Sequence, residues 1–246
     1  MKIMYLNTWC GRIGKPILDF IFKNDDIDIF CFQEVYHNAS DKEKCFVDNS
    51  NHNFFDDVKN LLLNYNHYFR PHLADYWGLL ISSKKNIKIL DEGEEYIYKE
   101  KGYDFEKEKW GFTAKNLQYL DIEYESKRLT IMNFHGLYMK NDKIDTVERL
   151  EQSNKLISFI KKHNSNFILG GDFNLLPDSN SIKMISEQLN CKDLIKLFNI
   201  KSTRTSLYKK PIRHADYVFV SNDINIKNFN VLPDEISDHS PIIIEI

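Results

Sequence analysis

Short apolar runs alternate with longer amphipathic stretches along the chain. IMYL (3–6), IDIFCF (27–32), WGLLIS (77–82), RLTIMNF (128–134), NFILG (166–170), YVFVS (217–221) and PIIIEI (241–246) are β-branched or aromatic, and Gly, Asn or Asp bounds them. Such runs predict strands. LQYLDIEYESKRLTIMNF predicts a hairpin turning at Glu125 to Lys127. Helical patterns lie between. Pro16 suits a first helical position, ahead of ILDFIFK, and FFDDVKNLLLN (54–64) is a second helix. DTVERLEQSNKLISFIKK (145–162) is the clearest, with Asp145 as cap, Glu148 in capping-box spacing and an apolar stripe of Val147, Leu150, Ile157 and Ile160. SIKMISEQL (181–189) is a fourth. Residues 91–112 predict a strand followed by an exposed loop, and 35–53 another polar loop. No repeat or linker divides the chain, so one domain over 1–246 is expected. Strands do not alternate strictly with helices, which predicts two packed mixed sheets flanked by helices, not one parallel sheet.

Composition changes this picture little. Among 246 residues, 42% are hydrophobic and 28% charged, ordinary for a soluble globular chain. The net charge of −3 leaves no basic footprint for tight nucleic-acid binding, although local fields can differ from the net. The four cysteines (10, 31, 45 and 191) form no C-x-x-C pair and are expected to be reduced thiols. No stretch approaches the ~18 apolar residues of a spanning helix. The N-terminal apolar segment is too short for a secretory leader, so a cytoplasmic protein is expected.

The predicted strand ends carry the chemistry. Asn7 closes the first, Gln33-Glu34 the second, His135-Gly136 another, and Gly171-Asp172-Phe173-Asn174 the next; Asp216 opens YVFVS and Asp238-His239 precedes the last. Singly, each suits a turn. Together they form a coherent set. Glu34, Asp172 and Asp238 offer hard oxygens suited to Mg²⁺ or Mn²⁺. His135 and His239 offer acid–base function, and Asn7 and Asn174 offer uncharged amide donors for phosphate oxygens. A phosphate ester, a metal and an activated water would use all of them.

Six motifs in order, LNTW, FQE, NFHG, GGDFN, ADYVF and SDHSP, run from residue 6 to 241. In these the chain resembles the endonuclease/exonuclease/phosphatase superfamily, with the pancreatic-type deoxyribonuclease fold. The resemblance implies an α/β four-layer sandwich, two packed mixed sheets flanked by helices, and a monomeric, metal-dependent phosphoric ester hydrolase using Mg²⁺ or Mn²⁺. It implies Glu34 as the principal metal carboxylate, with Asn7 and Asp238 near the metal. Asp172 would position the water, Asn174 hold the phosphate, and His239, oriented by Asp216, act on the scissile phosphate. His135 would protonate the leaving oxygen; the abasic-site branch has tyrosine there, which argues against that branch. Asp75 is aligned with a glutamate that pairs with this histidine. Arg149 and Gln152 follow NFHG at the spacing of a recurrent R-x-x-Q and are expected behind the site, Arg149 towards phosphate. Where the family often has Arg, this chain has His214 beside Arg213; Arg204, Thr205 and Tyr208 are candidate lining residues. The implied substrate is a phosphodiester, with nucleic acid favoured. Inositol phosphates, phospholipid headgroups and small nucleotides remain alternatives, as does a non-catalytic binding module. For all these readings Glu34, Asp172, Asp216 and His239 must converge.

Overall fold

A computed structural model describes residues 1–39, 48–103, 113–139 and 142–246. Among these residues the strands form two six-stranded sheets. The first contains, in spatial order, β11 (Asn228–Val231), β12 (Ile242–Glu245), β1 (Lys2–Asn7), β2 (Ile29–Tyr36), β4 (Trp77–Lys84) and β3 (Tyr65–Leu73). The second contains β5 (Ile89–Tyr98), β6 (Lys115–Tyr124), β7 (Lys127–His135), β8 (Asn166–Asp172), β10 (Asp216–Ser221) and β9 (Cys191–Asp193). Each sheet has one parallel pair among antiparallel neighbours. β1 and β2 are joined through α1 (Lys15–Lys23), and β7 and β8 through α3 (Val147–His163). A parallel pair needs such a crossover, whereas antiparallel neighbours can use tight turns. The β6–β7 hairpin uses one, with Glu125 and Ser126 at φ 49° and 61°, the double positive φ of a type I′ turn.

Strand β1 shows why its run is apolar throughout. Ile3 and Tyr5 face the second sheet, in one cluster with Ile29, Cys31, Ile131, Leu169 and Val218. Met4 and Leu6 face outward, onto Ile17 and Ile21 of α1 and onto Phe54 and Val58 of α2 (Phe54–Leu61). A strand covered on both faces loses the alternation of a half-solvated one. Each such side chain contributes about 1.5–3 kcal/mol by leaving water. On the far side, α3 and α4 (Asn180–Leu189) bury Ile157, Ile160, Ile182 and Ile185. Polar bonds fix how the sheets meet. Tyr5 Oη donates to the Ile168 carbonyl (3.1 Å), Asn133 Nδ2 to that of Phe32 (3.0 Å), and Gln33 Nε2 to Asn133 Oδ1 (2.6 Å).

Two expectations for α3 are corrected. Its cap is Thr146, whose hydroxyl accepts from Arg149 N (3.3 Å). Asp145 instead accepts from the N–H groups of Asn180 (2.7 Å) and Ser181 (2.9 Å), serving the first turn of α4. Val147 is 68% exposed; the buried face runs through Arg149, Gln152, Ser153, Leu156, Ile157 and Ile160. Strand β3 escapes the apolar pattern because it is an edge strand, polar and carrying Pro71, as edges tolerate. α2 stops at Leu61, short of the expected 64. Parts of both expected loops, 40–47 and 104–112, lie outside the described residues. No helix among the described residues is long and apolar enough to cross a membrane.

Gly171 sits in the β7–β8–β10 ladder at φ 135°, where a Cβ would lie 2.0 Å from the Phe134 carbonyl oxygen. Gly171→Ala is expected to cost about 2–4 kcal/mol, seen calorimetrically as a Tm drop on the order of 5–15 °C. An unchanged Tm would contradict the packing described.

Candidate active site

The carboxyl ends of the two parallel pairs meet. Asn7 ends β1 and Glu34 lies near the end of β2; His135 and Asp172 end β7 and β8. Register then lines up the second sheet's contribution, because His135 pairs with Asp172 and Asp172 with Asp216 across adjacent strands. Glu34 is aimed by an irregularity. The β2–β4 register shifts between Phe32 and Val35, and Glu34 takes φ 58°. A left-handed non-glycine residue costs on the order of 1–3 kcal/mol and persists where its surroundings enforce it. Here Thr8 Oγ1 donates to the carbonyls of both Gln33 and Glu34 (3.0 Å each).

Asn7 joins the sheets chemically. Its Nδ2 donates to Glu34 Oε1 and to Asp172 Oδ2, 3.0 Å each, while its Oδ1 accepts from Trp9 N (2.9 Å). Asp172 Oδ1 accepts from Asn174 N (2.8 Å). His239 Nδ1 donates to Asp216 (2.8 and 3.0 Å), which leaves Nε2 3.5 Å from Asp172 Oδ2 and 3.7 Å from Asp238 Oδ1. Arg204 Nη1 donates to Asp238 Oδ2 (2.9 Å). His135 Nε2 lies 3.7 Å from Glu34 Oε1 and 3.8 Å from Asp172 Oδ2.

The charges sort themselves. Burial and Arg204 push the His239 pKa down, but the carboxylates of Asp216, Asp172 and Asp238 outweigh them and raise it above its ordinary value. Burial pushes Asp172 up, yet His239, Lys143, His135 and Arg204 hold it well below the usual carboxylate range. Protonated His239 and ionised Asp172 therefore favour one another. Burial raises Glu34, partly offset by the Asn7 hydrogen bond. Burial and Lys115 drive His135 well below 6.5, so it is neutral at neutral pH. Burial lowers Lys115 and Lys143 to about 8.

Two overlapping groups offer ligand atoms within 4.8 Å of one another: Glu34, His135 and Asp172, and Asp172, Asp216 and His239. The second contains the histidine whose protonated form the same carboxylates favour. The first pairs two carboxylates through a neutral amide beside a neutral imidazole, and so fits a divalent cation better. Asp238 belongs to neither group; one oxygen is taken by Arg204 and the other, Oδ1, is buried without a hydrogen-bond partner.

Comparison with known proteins gives the family. The family model of the endonuclease/exonuclease/phosphatase family matches residues 4–239. The chain belongs to that family. A mannosyl-6-phosphatase from Bacteroides thetaiotaomicron has a similar fold, with TM-score 0.74, 17% identity and 100% of this chain and 98% of that one covered. The human Nocturnin catalytic domain with bound sulfate matches at TM-score 0.72 and 18% identity, covering 99% and 93%. TDP2 of D. rerio, complexed with a single-strand DNA product, matches at 0.69 and 14%, covering 99% and 97%. A UPF0294 protein of Photorhabdus laumondii is 25% identical over 122 residues, which is 49% of this chain and 43% of that relative's length.

Within this endonuclease/exonuclease/phosphatase chain, Asn7, Glu34, His135, Asp172, Asn174, Asp216, Asp238 and His239 come together. Asp75 does not. It lies in the β3–β4 turn, its side chain 87% exposed, paired with Lys101 (2.7 Å), and His135 Nδ1 has no partner among the described residues. Arg149 is also corrected. Fully buried, its guanidinium donates to the carbonyls of Ile144, Leu137, Asp142 and Asn174. It therefore braces the loop behind the site rather than facing phosphate. Gln152 lies beside it, its Oε1 accepting from Leu137 N (2.9 Å). His214 turns to the Ile200 carbonyl (3.0 Å). The structure adds Lys115, Lys143, His72 and the thiol of Cys10 to these residues. Cys10 donates to Glu34 Oε2 (3.4 Å) and Lys143 to Asn174 Oδ1 (3.3 Å). A buried lysine reads in sequence like a solvated one.

Because its folded pKa is raised, protonated His239 contributes stability below about pH 6.5 that is lost as pH rises through the folded pKa. Imidazole NMR titration of the metal-free protein should place His239 above 6.5, and Asp216→Asn should lower it. A wild-type midpoint at or below 6.5 would refute the ion pair.

Proposed function

We propose that the chain is a divalent-metal-dependent phosphoric ester hydrolase, acting on a phosphodiester by in-line attack of water. One observation carries this: Asn7 bridges Glu34 and Asp172 from different sheets, directly opposite the His239–Asp216 pair. Glu34 would hold a Mg²⁺ or Mn²⁺ ion, with Asp172 as the neighbouring carboxylate. Such an ion neutralises the phosphate and polarises its P–O bonds.

The chain's own groups divide the remaining work. Asp172, held ionised by its cationic neighbours, accepts a hydrogen bond from the attacking water and orients it. The imidazolium of His239 donates Nε2–H to a phosphoryl oxygen, with Asp216 fixing the ring through Nδ1. The Asn174 amide adds an uncharged donor, while both N–H groups of Asn7 are already committed to Glu34 and Asp172. His135 faces the same space from the Glu34 side and is assigned to the leaving oxygen. Asp238, tied to Arg204, tempers the charge around His239 rather than binding metal.

A small phosphate ester is a second reading, favoured by depth: Asp172 is 1% exposed and His239 3%. The similarity in fold to a mannosyl-6-phosphatase accords with it, whereas the nucleic-acid reading accords with TDP2 bound to DNA product. Salt separates them, because nucleic-acid affinity falls steeply with ionic strength and small-ester affinity does not.

Hydrolysis of bis-p-nitrophenyl phosphate, plasmid DNA, single-stranded RNA or inositol phosphates is expected with Mg²⁺ or Mn²⁺ and should vanish in EDTA. Glu34→Ala, Asp172→Ala and His239→Ala should each lower kcat/KM by about 10²–10⁴-fold, with circular dichroism unchanged. Full activity in any one variant removes that residue from the mechanism.

A further inference from the structure

Two buried lysines flank the acids, and they are not equivalent. Lys143 donates to Asn174 Oδ1 (3.3 Å), on the side where the phosphate is placed above. Lys115 opens β6 and is 1% exposed, yet no carboxylate oxygen among the described residues lies within 4.0 Å of its Nζ. Its neighbour is the Trp77 ring, whose centroid is 5.3 Å from Nζ. That ring stands 4.9 Å from the His72 ring and 5.6 Å from the His135 ring, and the two imidazoles are 6.1 Å apart. Lys115 thus occupies one corner of an aromatic box beside the Glu34–Asp172 pair.

The box is short of hydrogen-bond partners. Asn116 Nδ2 donates to the Arg70 carbonyl (3.2 Å) and to Glu94 Oε2 (2.5 Å), so its Oδ1 is the acceptor for His72 Nδ1 (2.9 Å). His72 Nε2 is then a bare lone pair, buried and without a partner among the described residues, and His135 Nδ1 is likewise unmatched there. Native structures rarely leave such groups unmatched, and a buried ammonium with no carboxylate in direct contact is rarer still. A donor cation beside a bare acceptor calls for a ligand that accepts strongly and also donates. A terminal phosphate, with its second pKa near ~6, does both when bound as the monoanion, its oxygens taking the ammonium N–H groups and its P–OH serving the imidazole. A sulfate has no proton to give.

We propose that Lys115, with His72, holds a second, terminal phosphate group carried by the substrate on the far side of the bond that is cut. This rests on the phosphodiester reading above for the position of the first phosphate. It narrows the substrate class to esters whose departing part is itself phosphorylated.

The test compares two thymidine dinucleotides, one with a 5′-phosphate and one without, each joined by a non-hydrolysable methylenephosphonate. Calorimetry with Mg²⁺ reads binding without turnover. Wild type is expected to bind the phosphorylated ligand on the order of tenfold more tightly. Lys115→Gln should bring the ratio to about one, and Lys115→Arg should restore part of it. His72→Gln, a second variant independent of the lysine's own packing, should also lower the ratio. No preference in wild type, or an unchanged ratio in Lys115→Gln, overturns the proposal. Failure of the hydrolase reading is seen separately, as absent cleavage of the natural phosphodiester while the binding ratio persists.

Discussion

One amide group, the Nδ2 of Asn7, keeps the two sheets committed to common chemistry. It donates at 3.0 Å to a carboxylate of each sheet, Glu34 from the first and Asp172 from the second. Two carboxylates this near repel, by about 1–4 kcal/mol at 4 Å for effective dielectrics between water and a protein surface. A shared neutral donor holds them together without cancelling their charge, and that remaining charge is what a divalent cation needs. Asn7 is itself held from both ends of the chain. Trp9 N donates to its side chain, and Ser237 Oγ donates to its main-chain carbonyl (2.7 Å). The first strand and the segment before the last strand are therefore fixed to one point.

Topology makes this meeting possible. Each sheet contributes a parallel pair, and crevices form beyond the carboxyl ends of such pairs, where main-chain groups run out of partners. The two pairs face each other, so both open at the same end. Between the sheets lies an otherwise apolar core into which Gln33, Asn133 and Gln118 are inserted, bonded to one another and, from Asn133 and Gln118, to carbonyls of the opposing sheet. Register between the sheets is thus set by directional bonds close to the site, where apolar contacts alone would permit sliding. The strain at Glu34 and the close approach at Gly171 are located at the same end, and both serve to bring main chain or side chain where the regular ladder would not.

Much of this was readable from the chain. The apolar runs that became β1, β2, β4, β7, β8, β10 and β12 are runs because two faces of each are covered, and their polar terminators became the site. The order of the six short motifs fixed the family and, with it, the two-sheet fold. What the chain concealed was tertiary. Asp145 has capping-box spacing to α3 but bonds to α4, because the loop before α3 passes the start of α4. Arg149 resembles a phosphate-facing arginine but is consumed by four carbonyls. Asp75 precedes a core strand, yet its turn projects into solvent. Lys115 and Lys143 carry no sequence signal at all, since burial of a lysine depends on what other segments place over it.

The central claim is that Glu34 and Asp172, held by Asn7, form the seat of one divalent cation where the two sheets meet. Anomalous diffraction from crystals soaked in Mn²⁺ tests it most directly. The expected result is a single strong peak about 2.0–2.3 Å from a Glu34 carboxylate oxygen, adjacent to His135 and Asp172 and absent in Glu34→Gln crystals. A peak that survives Glu34→Gln, or one seated elsewhere on the molecule, would contradict the account.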